Sequence, residues 1–486
     1  MKMNIRNISA NTGKALLVNA LFMLFSLGIS ILYGFDSGFT PMLISFLITL
    51  IVGAFPLIFT QSAQQDSIKD GYVTIVLTWL LSFIFGMLPY VLWGGEFTLM
   101  NAWFESVSGY TTTGSTILTD IESLPHSLLF WRSSTHFIGG LGVIVLLLLI
   151  LPDSNAFKLR LSHLELSSIA KDGYHFKSSK VIRVIITVYI CLTVVESVCL
   201  WAAGMTPFDA INHAFSTVAT GGFSTKNASI MHYDSNLIYI IIMIFMAVSS
   251  MHFGVIYAIF AQRSFKPLKH SVTRYYLTVI AVIALIITVT LVRQDGYNSF
   301  WKALLDGSFQ TISYITTTGF GQADNALWPM LANALLLFAA FHGGCSGSTT
   351  GAIKADRVLI ASKGLAGEFR KKLSPSSIFK VKLGNSFIQE ETLSSVFLFI
   401  VLYIIVLFVS FVSVMLCGVE VGDAFGATLS SIGNVGPATG TLGTMGNFST
   451  QPEIAKFIYT LDMFLGRLEI FPILIVLSMI LKRNRS

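Results

Sequence analysis

Four stretches of this 486-residue chain run through hydroxylated and small residues into a glycine. They read NAWFESVSGYTTTGST (101–116), DAINHAFSTVATGGFS (209–224), DGSFQTISYITTTGFG (306–321) and DAFGATLSSIGNVGPA (423–438). Aligned on Gly114, Gly222, Gly319 and Gly436, they agree in three further columns. Thirteen residues before the glycine stands Asn101, Asp209, Asp306 or Asp423. Twelve before it is a small residue (Ala102, Ala210, Gly307 or Ala424), and six before it is Ser108, Ser216, Ser313 or Ser430. Leading into the glycines are Thr111, Thr112 and Thr113; Ala219, Thr220 and Gly221; Thr316, Thr317 and Thr318; and Asn434 with Val435. These residues offer oxygen without charge. Glycine permits positive φ, so successive carbonyls can point to one side. Four such strands around an axis make rings of carbonyl oxygens, which can replace the water shell of a desolvated K⁺.

The columns also say what must position those oxygens. Asn or Asp at the start is a preferred helix N-cap, and about ten residues follow before the Thr/Gly stretch. A helix of that length is ~15 Å long, half of a hydrocarbon core ~30 Å thick. The expectation is therefore a half-helix that enters from outside, stops midway and turns back. Its C-terminal end carries partial negative charge, which favours a cation at the membrane centre. Non-helical backbone at that depth is tolerated only where protein encloses it or it lines a watery path. Any one segment read alone suits close helix packing or an ordinary loop equally well. Four in register argue for the pore. No segment reads GxxxxGK[ST], which excludes the P-loop phosphate cradle. The glycines lie 108, 97 and 117 residues apart, so the repeating unit is a helix–loop–helix hairpin of membrane size.

Composition places those hairpins in lipid. The chain is 53% hydrophobic and 12% charged, about half the charged share of a soluble domain. Apolar runs of spanning length include Leu16–Phe35, Pro41–Thr60, Val73–Leu92, Phe137–Leu151, Val181–Ala203, Leu237–Ala261, Val396–Cys417 and Ile454–Leu481. The first follows Lys2, Arg6 and Lys14, as a secretory signal would. It has no small-residue cleavage site, and a second run follows at once, so an uncleaved hairpin is expected. Of the 31 Lys and Arg, 25 fall at the N-terminus, at Lys69, and in segments 158–183, 263–274, 354–382 and 482–485. Basic loops stay cytoplasmic, so both termini are expected inside, and the net charge of +6 reflects topology rather than nucleic-acid binding. Cys191, Cys199, Cys345 and Cys417 show no metal spacing and read as reduced, buried thiols.

The expected fold is an all-α integral membrane protein: an N-terminal hairpin (1–64) and four helix–pore-loop–helix repeats (65–155, 156–265, 266–365, 366–486) around a pseudo-fourfold pore. Two irregularities interrupt its helices. After Leu327–Phe341 comes a run with Gly343, Gly344, Cys345, Ser346, Gly347, Ser348, Thr349, Thr350, Gly351 and Lys354, which cannot continue a lipid-facing helix. About fifteen apolar residues before it are too few to cross, so it is expected to begin inside the bilayer under the third strand, as a gate. An ordinary cytoplasmic loop is the bland alternative. Arg467 lies within the last apolar segment, where a charge is costly and faces protein or a watery cavity. It reads either as a cationic barrier in the pore or as half of a salt bridge to Glu469 or Asp462. Arg132 and Glu196 are weaker cases of the same kind.

Together SGYTTTGST, FSTVATGGFST, YITTTGFGQAD, GNVGPATGTLG, GGCSGSTTGAIK and GRLEIFPIL resemble the filter loops, gating loop and pore-arginine segment of the TrkH/TrkG/KtrB superfamily of bacterial K⁺ uptake proteins, in the family's order over nearly the whole chain. The leading hairpin is similar to the TrkH/TrkG branch and is usually lacking in KtrB. The resemblance implies a K⁺ filter at Gly114, Gly222, Gly319 and Gly436 and the residues before them, a gate at 343–354, and a barrier at Arg467. It further implies a homodimer in the bacterial inner membrane, among membrane lipids. A cytoplasmic TrkA-like nucleotide-binding ring would dock on the basic inner loops, with K⁺ as cargo and no nucleotide bound by this chain. Asn434 and Val435 replace the usual Thr, which makes the fourth loop the least regular by expectation. A symporter coupling K⁺ to H⁺ or Na⁺ would need buried carboxylates or histidines along the path; Glu105, His136, His213 and Glu196 form no recurring column. An enzyme would need a nucleophile–base pair or converging metal ligands, and the sequence offers neither.

Overall fold

The computed structural model describes residues 4–58, 67–150, 178–260, 262–293, 297, 299–374, 381–384 and 386–483. Most of the basic segment 158–183 lies outside these residues. The N-terminal hairpin is α1 (Ile5–Leu32) and α2 (Phe39–Ile58). Repeat 1 follows as α3 (Ile68–Gly86), the short α4 (Leu88–Trp93), the half-helix α5 (Leu99–Tyr110) and α6 (His126–Ile150). Repeat 2 is α7 (Ser178–Ala202), half-helix α8 (Pro207–Val218), α9 (Asn236–Ser249) and α10 (Phe253–Phe260). Repeat 3 is α11 (Ser271–Val292), half-helix α12 (Phe300–Ile315), α13 (Met330–His342) and α14 (Ala355–Leu373). Repeat 4 is α15 (Glu390–Leu416), half-helix α16 (Val421–Gly433), α17 (Glu453–Arg467) and α18 (Phe471–Arg483). Helix α14 runs unbroken through residue 365, the expected end of the third repeat. A two-residue antiparallel ribbon pairs Lys382 with Phe387 and Leu383 with Ser386, a small addition to an otherwise helical fold.

Six helices among the described residues are long and apolar enough to cross a membrane, and up to eight crossings result if each bent pair is one span. Their lipid-facing sides are apolar: Leu398, Val401, Ile405, Phe408 and Val412 of α15 are all exposed. This inversion of the soluble pattern is what a hydrocarbon solvent favours. The chain is a multi-pass membrane protein.

The sequence suggested one broken second helix, and among the described residues three are broken. Between α9 and α10 the axis turns by 112°, and between α17 and α18 by 107°, so neither Leu237–Ala261 nor Ile454–Leu481 is a straight span. The break between α13 and α14 supplies the reason. Its loop takes up the backbone groups that the second repeat's break releases: the Cys345 amide donates to the Ser250 carbonyl at 2.9 Å, and the Phe253 amide to the Gly347 carbonyl at 3.1 Å. Freed polar backbone inside a membrane persists only with such partners. At the third break, Glu469 and Ile470 sit at φ 56° and 62°, and the Glu469 carboxylate binds Lys354 Nζ and Arg357 Nη2 at 2.5 Å each. All three breaks therefore meet at one loop.

Candidate ion-conduction site

The half-helices begin earlier than the Asn/Asp column. Thr98 and Thr206 are the N-caps of α5 and α8, their hydroxyls accepting from the Asn101 and Asp209 amides. Ser299 and Glu420 hold the same place for α12 and α16 without a side-chain cap bond. Asn101, Asp209 and Asp423 thus lie inside the first turn, where a carboxylate favours the helix dipole, and Asp306 lies deeper. With 12, 12, 16 and 13 residues, the helices are about 18 to 24 Å long, slightly beyond the expected half-thickness.

Their C-terminal ends are built alike. Two residues before each glycine the backbone turns left-handed, at Thr112 (φ 51°), Thr220 (54°), Thr317 (53°) and Asn434 (53°). The amide of the following residue donates back to the column serine: Thr113 to Ser108 at 2.9 Å, Gly221 to Ser216 at 2.8 Å, Thr318 to Ser313 at 2.9 Å and Val435 to Ser430 at 2.9 Å. The left-handed residues themselves donate to Gly109, Thr217, Tyr314 and Ser431. This paired pattern is the Schellman helix ending, here on residues other than its usual glycine. A β-branched residue at positive φ is strained by about 1–3 kcal/mol and persists only where its surroundings enforce it. Asn tolerates that conformation better, so the fourth loop, expected to be the least regular, keeps the register of the other three.

Each glycine then faces the next strand. A Cβ at Gly114 would lie 2.0 Å from the Gly221 carbonyl oxygen, one at Gly222 2.0 Å from that of Thr318, one at Gly319 2.0 Å from that of Val435, and one at Gly436 2.5 Å from that of Thr113. The four strands close into a ring in the order 1–2–3–4–1, too tight for any side chain at the glycine. All four glycines also sit at positive φ, between 79° and 104°, and line one cavity with residues that follow them, Thr116, Thr119, Lys226 and Asn227 among these. Thr111 and Thr316 each bond Thr113 or Thr318 across their own strand at 2.8 Å. The column serines diverge outside the backbone: Ser108 and Ser313 bond the carbonyls of Ser115 and Phe320, while Ser216 contacts His136.

Beneath the ring lies the loop 343–354. Thr349 Oγ1 donates to the Val218 carbonyl at 3.2 Å and accepts from Thr220 at 3.2 Å. The Gly351 amide donates to Thr317 Oγ1 at 3.1 Å. The loop thus hydrogen-bonds two of the four left-handed residues, and Gly351 also packs against a third, Asn434. Asn434 Nδ2 donates to Thr113 Oγ1 at 3.1 Å and to the Met463 carbonyl at 2.8 Å. Within the loop, Gly343 and Gly347 are both at φ 73°, and the Ser348 hydroxyl bonds the Cys345 carbonyl and Thr350. Asp356 anchors it from α14, accepting from the Ser346 amide at 2.9 Å and hydroxyl at 2.7 Å. Sequence reasoning did not single out Asp356.

Arg467 ends α17 at the break and points into this layer. It donates to the Thr349 carbonyl at 2.5 Å and the Gly139 carbonyl at 3.0 Å. Neither suggested salt bridge forms: Glu469 pairs with Lys354 and Arg357, and Asp462 accepts from Ser410 at 2.6 Å. The weaker candidate Arg132 is fully buried and pairs with Glu105 at 2.7 Å. Of the cysteines, Cys345 is buried, but Cys191 is exposed on the outside of α7, contrary to the buried reading.

Comparison with known proteins follows the same lines. The TrkH family model, a cation transport protein, matches residues 40–486. The chain is similar to the Trk system potassium uptake protein TrkH of Salmonella typhimurium, 34% identical over 439 residues, covering 89% of this chain and 90% of that one. It is similar to the Trk system potassium uptake protein TrkG of Escherichia coli, 33% identical over 86% of each chain. The crystal structure of the potassium transporter TrkH from Vibrio parahaemolyticus superposes with a TM-score of 0.88 at 31% identity, over 98% of this chain and 99% of that one. The matched residues 40–486 take in all four half-helices and Arg467 of this chain, and the chain belongs to the TrkH family of cation transport proteins.

Proposed function

We propose that this chain takes up K⁺ across the bacterial cytoplasmic membrane, by channel-like conduction through the ring at Gly114, Gly222, Gly319 and Gly436. The observation that carries the reading is ring closure: each glycine abuts the carbonyl of the preceding-residue position in the next strand. The relatives are potassium uptake proteins by name, and a ring of uncharged oxygens suits a monovalent cation that sheds its water. Membership in a transport family agrees with a chain that performs no catalytic chemistry. The filter comprises residues 111–114, 219–222, 316–319 and 434–436. Loop 343–354 and Arg467 form the gate, because they occupy the space directly under those strands and place a positive charge there. The basic inner segments put both termini in the cytoplasm, and the family resemblance adds a homodimer. It also adds a TrkA-like ring on the inner face that supplies nucleotide control.

Reconstituted protein tests this. Tracer Rb⁺ or K⁺ flux should have a reversal potential set by the K⁺ gradient alone. A reversal that moves with pH or Na⁺ would replace the channel reading with coupled symport. Gly319→Ser should weaken K⁺-over-Na⁺ selectivity, since a Cβ there meets the Val435 carbonyl. Unaltered selectivity would remove the carbonyl ring as the filter.

A further inference from the structure

Each strand leaving the ring is tied back to its own half-helix by a carboxylate. Asp209 accepts from Thr225 Oγ1 at 2.6 Å, Asp306 from Gln322 Nε2 at 2.8 Å, and Asp423 from the Thr441 hydroxyl. In repeat 1 the column residue is Asn101, which is engaged elsewhere, with the Glu96 carbonyl and with Lys456. Glu105, one helical turn further in, makes the tie instead. Its oxygens accept from Thr116 Oγ1 at 3.0 Å and from the Ile117 amide at 3.1 Å. Ile117, Thr225 and Gln322 all stand three residues after their glycine.

The first tie differs from the others in charge and reach. Glu105 is wholly buried and is neutralised by Arg132, at 0% and 1% side-chain exposure respectively. The same guanidinium touches both strands that meet at the Gly114–Gly221 junction. Nη2 donates to Thr116 Oγ1 at 3.3 Å, Nη1 donates to the Ser224 carbonyl at 3.3 Å, and Cζ lies 4.0 Å from the ring centre of Phe223, the residue after Gly222. His136, the next turn of α6, stacks on that ring at 4.1 Å and contacts Ser216. A buried pair is weak evidence for net stability but can fix one geometry over its neighbours. Whether a filter discriminates by cavity size or by the field of its carbonyls, the spacing between strands has to be held.

We infer that the Glu105–Arg132 pair is a specificity-determining positioning device, which fixes the spacing of the first and second filter strands from behind and contributes no ligand to the ion. This rests on the carbonyl-ring reading above. Glu105→Gln should lower the K⁺-over-Na⁺ permeability ratio by between about twofold and about thirtyfold, the range over which hydrogen-bond networks couple sites. Arg132→Lys, which keeps the charge but loses the fork, should fall between Glu105→Gln and the native protein. Asp36→Asn is the comparator: its carboxylate ties the α1–α2 turn to Ser127 and Ser30, away from the ring, and should cost stability without altering the ratio. Thr116→Val removes the tie's hydroxyl with both charges in place, and serves if Glu105→Gln does not fold. Ratios are read from bi-ionic reversal potentials in proteoliposomes, and folding from elution volume and melting in detergent. A native ratio in folded Glu105→Gln or Thr116→Val overturns the inference. If Gly319→Ser changes the ratio in parallel, the filter reading survives that loss; if Gly319→Ser is also native, the filter reading itself fails.

Discussion

Arg467 Nη1 and the Thr349 carbonyl oxygen lie 2.5 Å apart, joining residues 118 positions apart in sequence directly beneath the ring of glycines. The second donor, Nη2, reaches the Gly139 carbonyl of the first repeat at 3.0 Å. One side chain from repeat 4 therefore links repeat 1 to the loop of repeat 3. The bond also explains how a buried cation is tolerated without a carboxylate partner: carbonyl dipoles solvate it.

Removing that link should open the path. Arg467→Gln loses a charge-assisted hydrogen bond of about 1.5–3 kcal/mol to the loop, together with the positive charge that the proposed gate relies on. Tracer Rb⁺ uptake into proteoliposomes should rise at least about tenfold. Uptake at the native rate, in protein that elutes normally, would exclude Arg467 as a barrier.

Asp356 pins the loop through both the amide and the hydroxyl of Ser346. Asp356→Ala should release the loop and raise basal uptake, whereas Ser346→Ala leaves the amide bond intact and should raise it less. Equal effects from the two substitutions would mean that the carboxylate does not act through this loop.

Glu469 is shared by Lys354 and Arg357. Glu469→Gln leaves two cations facing each other and should cost roughly 1–3 kcal/mol, short of the full cost for a buried pair because the carboxylate is 20% exposed. Lys354→Gln leaves Arg357 paired and should cost less. Melting curves of both and of the double variant measure the coupling between Glu469 and Lys354; additive shifts would show that the two do not interact.

Thr206 caps the second half-helix through the Asp209 amide. Thr206→Ala should lower stability by about 1 kcal/mol while leaving ion selectivity native. Asp209→Asn weakens the tie to Thr225 and should affect the outer strand rather than the helix start. If thermal melting responds only to Asp209→Asn, the cap belongs to the aspartate after all.

The glycine register, the half-helices, the interrupted third helix and the unusual arginine were legible because each is a local pattern: a fixed spacing, a helix-breaking composition, or a charge in an apolar run. The cap position was not, because Asn101 and Asp209 are by type the better caps than Thr98 and Thr206, and only the dihedral angles decide between them. Nor were the breaks at 250–252 and 468–470, whose residues are not strong helix breakers; they open because loop 343–354 and Lys354 with Arg357 supply partners there. The amino-acid sequence by itself determined that four half-helices would each deliver an oxygen-rich strand. That those strands close into a ring, and that Arg467 is held by carbonyls rather than by Glu469 or Asp462, was decided by tertiary structure. Such contacts join backbone groups a hundred or more residues apart, and a backbone carbonyl leaves no mark in the sequence.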